Sequence, residues 1–204
     1  MTTATPKFVD LELVPCDDAP VWAPAPKFYD AVVPRAWIGC MACYNAGRLV
    51  GDWFDAETAD QVTLADVHKP GRPRRDCEEL WVYDHEFIPE RGEMDPLRAA
   101  QWGRRIAEVD EHMQAGLLAW VRSGSHVVDA EDLPILEEFV DRYCGEYDSW
   151  EDFAHHELMQ SGMLDDVPEI VARYFCEERW ARDLRFDYDV EDAPSEGVYV
   201  FRSL

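Results

Sequence analysis

The sequence is short of positive charge. Against 43 acidic residues stand 19 bases, of which only Lys7, Lys27 and Lys69 are lysines. The formal net charge is −24, so a bare phosphate backbone would repel the chain and direct binding to nucleic acid is not expected. No apolar run approaches the roughly 18 residues needed to cross a bilayer, which argues against a membrane span. The start, MTTATPKF, lacks the basic-then-apolar pattern of a secretory signal. The six cysteines (Cys16, Cys40, Cys43, Cys77, Cys144 and Cys176) are scattered. Together these two features predict free thiols in a reducing cytoplasm. Phosphate loops and glycine-rich dinucleotide motifs are also missing.

What is present is a foldable chain with an uneven charge. Its 204 residues are 47% hydrophobic and include eight Trp, eight Tyr and nine Phe, enough to bury a core and to argue against wholesale disorder. Residues 129–204 hold 22 acids and 6 bases, so the negative charge is weighted toward the C-terminal third. Self-repulsion on this scale costs stability. A basic partner, such as a protein that normally binds nucleic acid, would offset it; a solvated acidic face serving solubility or salt adaptation is the other reading of charge alone.

Pattern places the elements. Pro6, Pro15, Pro20, Pro24 and Pro26, with Pro34 closing the stretch, discourage a helix. They predict an extended N-terminal arm over 1–33, with a short strand at Phe8–Val14. A hairpin is expected over Arg35–Ala56, with a strand at Trp37–Tyr44, a turn at Asn45-Ala46-Gly47 and a return at Leu49–Phe54. A weak helix over Ala56–His68, a loop at Gly71–Arg75 and a third strand within Glu79–Pro89 complete a small sheet. Trp102, Ile106, Val109, Met113, Gly116 and Trp120 form one apolar stripe at helical spacing within Asp95–Arg122, read as one long helix or two short ones. Asp95-Pro96 is a sound start and Gly124 a stop. Further helices are expected over Glu131–Tyr143, from a Ser149-Trp-Glu-Asp152 cap to about Gln160, and over Pro168–Leu184. Arg185–Ser203 reads as a closing hairpin.

Candidates for active-site chemistry are weak. Cys40-Met-Ala-Cys43 has C-x-x-C spacing, but in a predicted strand residues three apart face opposite ways. No second Cys or His pair stands at a suitable distance for zinc, so no metal is expected. His155-His156-Glu157 places adjacent histidines about 100° apart on a helix, which prevents joint chelation. Asp84-His85-Glu86 has no nucleophile elbow to serve. Asp187 and Asp189 lack the glycine-centred loop of a calcium site.

Carboxylates remain. In a helix, acids at i and i+4 lie about 6 Å apart along the axis, close to two nucleotide steps along one DNA strand. Glu137 and Asp141 have this spacing, as do Glu138 and Arg142. Glu151, Asp152 and Glu157 continue the series on the next helix, followed by Asp165, Asp166 and Glu169 at a loop and helix start. Like charges so placed destabilise a helix; arginines and lysines of a phosphate-binding cleft would supply the compensation.

Four ordered words of sequence are also present. The first is AWIGCMACYNAGRLVGDWFDA, with Tyr44, Asn45, Gly47, Leu49, Gly51 and Trp53. The second is ELWVYDHEFIP, with Asp84 and Glu86. An acidic segment follows, running through Tyr143, Gly145, Tyr147 and Ser149. YFCEERWARDLRFDYDV…GVYVFR closes the set, with Ala181–Leu184 as its A-R-D-L. In their order and spacing these four words resemble the ArdA antirestriction proteins, over about residues 35–204.

The resemblance implies an α+β fold, elongated, with three small domains in series: a small antiparallel sheet with a helix at 34–92, a helical middle at 93–131, and an acidic helix-plus-hairpin unit at 132–204 carrying a homodimer interface. It further implies a non-enzymatic DNA mimic, carried by mobile elements, that blocks type I restriction-modification enzymes by filling the DNA groove of their methyltransferase core. The acids expected to stand in for phosphates are Glu131, Asp132, Glu137, Glu138, Asp141, Glu146, Asp148, Glu151, Asp152, Glu157, Asp165, Asp166 and Glu169. No cofactor, membrane or direct nucleic-acid contact is expected. Two things depart from the family pattern: the proline arm, and the basic loop of Lys69, Arg72, Arg74 and Arg75. Trp150, Tyr174 and Trp180 are expected in the core. The competing readings are an acidic binding protein for another cationic DNA-binding protein and an enzyme built on Asp84-His85-Glu86 or a bound metal.

Overall fold

The computed structural model describes residues 32–69, 71, 73–194 and 196–203. Nearly all of the proline arm, its strand at Phe8–Val14, Cys16 and Arg72 lie outside the described residues. The fold is α+β, as the sequence implies, with two three-stranded antiparallel sheets among the described residues.

The first sheet has the order β2-β1-β3. Strand β1 (Arg35–Cys40) pairs with β2 (Gly51–Asp55), as expected of the hairpin, and on its other edge with β3 (Leu80–Glu86). The first strand stops earlier than expected. Met41–Asn45 turns into a short helix, α1, and the chain reverses through Gly47 at φ 73°. The weak helix expected over Ala56–His68 is two pieces: a 3-10 turn at Ala56–Gln61 and α2 (Leu64–Val67). Thr63 causes the division. Its backbone is extended, and its side chain accepts from the Asp66 N–H while Asp66 answers the Thr63 N–H, a closed capping box that starts a new helix.

The apolar stripe of Asp95–Arg122 becomes two helices, α3 (Pro96–Ala107) and α4 (Glu111–Ser123). Asp95 caps the first by accepting from the Leu97 N–H at 2.7 Å, with Pro96 in the first turn. Gly124 ends the second at φ 81°. Helix α3 packs on the 3-10 turn so closely that Gly103 admits no side chain: an added Cβ would lie 2.4 Å from the Glu57 nitrogen.

The second sheet has the order β4-β6-β5, from Tyr143–Tyr147 (β4), Tyr188–Asp192 (β5) and Val198–Arg202 (β6). The closing hairpin is therefore present, but β4 was not expected. The helix expected over Glu131–Tyr143 covers only Leu136–Arg142 (α5). Its first residues form a turn organised by Asp129, whose carboxylate accepts from the Glu131 and Leu133 N–H groups. Both faces of this sheet are covered. Tyr199 and Phe201 join Trp120 and Phe139 in the main core, while Val200, between them, points to the opposite face. Helix α6 (Trp150–Ser161) starts at Ser149, which accepts from the Asp152 N–H as the sequence predicts. The single helix expected over Pro168–Leu184 is broken into α7 (Glu169–Ala172) and α8 (Glu177–Leu184).

Candidate functional site

The acids divide by what they touch. Arginines of α3 engage several. Arg104 grips both oxygens of Asp60 at 2.7 and 2.8 Å. Arg98 donates to Glu90 at 2.7 Å and to the backbone carbonyls of Glu131 and Asp132. Arg105 reaches Asp129 at 2.9 Å and the Pro134 carbonyl. With the Glu131 and Leu133 N–H groups adding their hydrogen bonds, Asp129 titrates below its ordinary value. These contacts lock the turn that carries Glu131 and Asp132, whose side chains stay exposed.

On α5, Glu137 and Asp141 are exposed one turn apart. Glu138 is different: Arg142 reaches back to it at 2.9 Å. In β4 and the turn after it, Glu146 is half-buried and Asp148 exposed; Glu146 lies near Tyr199, whose hydroxyl burial first and Glu146 second push up to about 12. Glu151 and Asp152 occupy the first turn of α6, where the helix dipole favours them. Glu157, like Glu146, is turned partly inward. It is half-buried, and its charge bears on Cys144, Tyr147, Tyr188 and Arg202. Asp165 and Asp166 are exposed in the loop before α7, and Glu169 pairs with Arg173 at 2.9 Å.

Among the described residues, no hydrogen bond or ion pair engages the carboxylates of Glu137, Asp141, Glu151, Asp165 or Asp166. An exposed carboxylate held on a helix but unanswered by the chain's own cations can accept from a partner's arginines or lysines without first breaking a bond.

The aromatic expectations divide as well. Trp150 packs on Phe153 and Tyr188 and donates to the Ala181 carbonyl at 3.0 Å. Trp180 is half-buried. Tyr174, expected in the core, is 84% exposed because the break between α7 and α8 carries it out of the helix stripe. Of the basic loop, Lys69 pairs with Asp66 at 3.4 Å, and Arg74 and Arg75 are exposed.

One grouping was missed by the sequence reading. Cys40 and Cys43 do not point apart, because the strand ends at Cys40 and α1 turns Cys43 back to the same side. His68 and Cys77 join them, and all four side chains are buried. The signal was the C-x-x-C pair; its partners were a single His and a single Cys rather than a second pair.

Against protein-family models the chain matches that of the antirestriction protein ArdA over residues 36–199. No curated protein matches it.

Proposed function

The chain belongs to the ArdA antirestriction protein family, and from that premise we propose that it is a DNA mimic that inhibits type I restriction-modification enzymes. The exposed carboxylates of α5, α6 and the loop before α7 take the place of backbone phosphates in the DNA groove of the methyltransferase core. The observation that carries the reading is the set Glu137, Asp141, Glu151, Asp165 and Asp166, exposed and unanswered within the described residues. Groups that bound their own arginines would have to be stripped before they could bind a partner's, whereas these are available at once. The enzyme gains from them what it gains from phosphates: charge-assisted hydrogen bonds and counterion release. No bond is made or broken. The setting we propose is the cytoplasm of a host bearing a mobile element, with the chain acting as a homodimer of units arranged in series at 34–92, 93–131 and 132–204.

The exposed side chains of Ile170, Val171 and Tyr174, within five residues of one another, support a subunit interface in the C-terminal unit. Competition tests the whole reading. Purified chain should displace duplex DNA from a type I methyltransferase, with an affinity that falls as salt rises. In cells, unmodified phage should plate better on a restricting host that expresses the chain. Simultaneous binding of chain and duplex to the enzyme defeats the mimicry. A pull-down that returns another DNA-binding protein and no restriction subunit moves the target elsewhere.

A further inference from the structure

We propose that the first sheet carries a structural zinc site whose four ligands are Cys40, Cys43, His68 and Cys77. It is independent of the acidic surface described above.

The four come from four different pieces of chain. Cys40 ends β1, Cys43 lies in α1, His68 is the C-cap of α2, and Cys77 precedes β3. Nothing in local sequence requires them to meet, yet their ligand atoms all lie within 4.8 Å of one another. The Cys43 and Cys77 sulfurs are 3.8 Å apart. Tetrahedral zinc with Zn–S near 2.3 Å and Zn–N near 2.0–2.1 Å sets sulfur–sulfur edges at about 3.8 Å and sulfur–nitrogen edges at about 3.6 Å. The cluster is thus close to coordination size before any metal draws it in.

His68 decides between a metal site and a plain nest of buried thiols. It is the one buried polar residue of the described core, and its Nε2 has no hydrogen-bond partner. A buried imidazole nitrogen is ordinarily satisfied, and thiols are weak hydrogen-bonding partners for it. A Cys43–Cys77 disulfide would use two of the four groups and leave both Cys40 and the imidazole unexplained. A metal ion satisfies all four together. Three sulfurs and one imidazole are soft to borderline donors that suit zinc and give no role to magnesium or calcium. With four protein ligands the coordination shell is closed, which marks a structural site rather than a catalytic one.

The charge and proton balance are simple. Each thiol gives up its proton to solvent, the imidazole binds as the neutral base, and no electron moves. The Zn(Cys)₃(His) unit then carries one net negative charge. Arg48 stands beside it, with Nη2 3.7 Å from the Cys43 sulfur, as a cationic outer partner. The site would fasten the stretch between α2 and β3, which contains no helix or strand among its described residues, to the end of the first strand.

The test uses the full chain, purified without chelator from zinc-supplemented cells. About one zinc per chain is expected by elemental analysis, and Co(II) exchanged for it should give the visible bands and sulfur-to-metal charge transfer of a tetrahedral thiolate site. Cys77→Ser and His68→Ala should lose the stoichiometric metal, whereas Cys144→Ser, outside the cluster, should keep it. Should the ligand variants fail to fold, the wild-type chain still decides: zinc added back after chelation should raise its thermal midpoint. Protein that holds less than about a tenth of an equivalent of zinc and gives no tetrahedral Co(II) spectrum overturns the site. A fresh preparation lighter by two hydrogens through a Cys43–Cys77 disulfide overturns it as well.

Discussion

Arg142 reaches back one helical turn to Glu138 at 2.9 Å, while Glu137, the residue before it, faces solvent without an ion pair. Two adjacent acids of α5 therefore differ in what they can offer a partner. Neutralising exposed and unengaged acids should weaken binding to the methyltransferase, and neutralising Glu138 should do less. Each of E137Q, D141N, E151Q, D165N and D166N is expected to cost about 0–1 kcal/mol alone, roughly fivefold or less in affinity. All five together should cost more than tenfold, with a shallower salt slope. Titration of the enzyme at two salt concentrations checks both. One substitution that abolished inhibition in a folded chain would point instead to a concentrated hot spot.

Gly103 predicts an effect opposite in sign to helix propensity. Alanine in the middle of a helix usually stabilises by up to about 1 kcal/mol over glycine. Here the new Cβ would meet backbone atoms of Ala56 and Glu57 at 2.4–2.7 Å. Backbone cannot swing aside as a long side chain can, so overpacking wins and Gly103→Ala should lose about 1–3 kcal/mol. A lower urea midpoint at unchanged slope is the expected readout.

Asp129 should leave a signature in acid. The Glu131 and Leu133 N–H groups and the Arg105 guanidinium hold its folded-state pKa below the ordinary value. The unfolded chain takes up the proton first, near pH 3.9. The stabilisation is therefore complete above that pH and is lost as pH falls through the lower folded value. Asp129→Asn should be less stable at neutral pH and should lose less further stability on acidification below about pH 4. Denaturant melts across that range test the difference.

How far the sequence could be read depended on whether a signal was local. Asp95-Pro96, Ser149 and Gly124 state helix boundaries in their own chemistry, and each stands where it was read. The closing hairpin alternates visibly, and it pairs. Strand β4 was invisible because Cys144, Gly145 and Glu146 carry no strand preference; it exists because β6 offers an edge beside it. The carboxylates could be counted in advance, and Arg142 and Arg173 stand one helical turn after Glu138 and Glu169, but the longer-range pairs could not be read. Those depend on Arg104 and Arg105 projecting from α3 toward acids distant in sequence, Asp60 and Asp129. The cysteine and histidine cluster was hidden for the same reason: its four members meet only after β1, α1, α2 and the loop before β3 are in place.

Helix α7 supplies the last prediction. Ile170 is 69% exposed, Val171 56% and Tyr174 84%. Single exposed apolar residues are ordinary, but three within five positions, two of them β-branched and one aromatic, mark a surface suited to a partner. A two-fold dimer could bury this patch against its own copy, since such an interface uses the same residues on both sides. The acids around it argue against a large face-to-face interface: Asp165, Asp166 and Glu169 would be brought toward their copies, so the apolar contact must outweigh that repulsion. It follows that dimerisation should strengthen with added salt, whereas binding to the enzyme should weaken. Light scattering should report about twice the 23.6 kDa chain mass for the wild type. Ile170→Ser, Val171→Ser and Tyr174→Ser combined should yield the monomer with an unchanged circular dichroism spectrum. A wild-type chain that is monomeric at high salt removes the dimer from the proposal and leaves the carboxylate surface to be judged by the competition experiment alone.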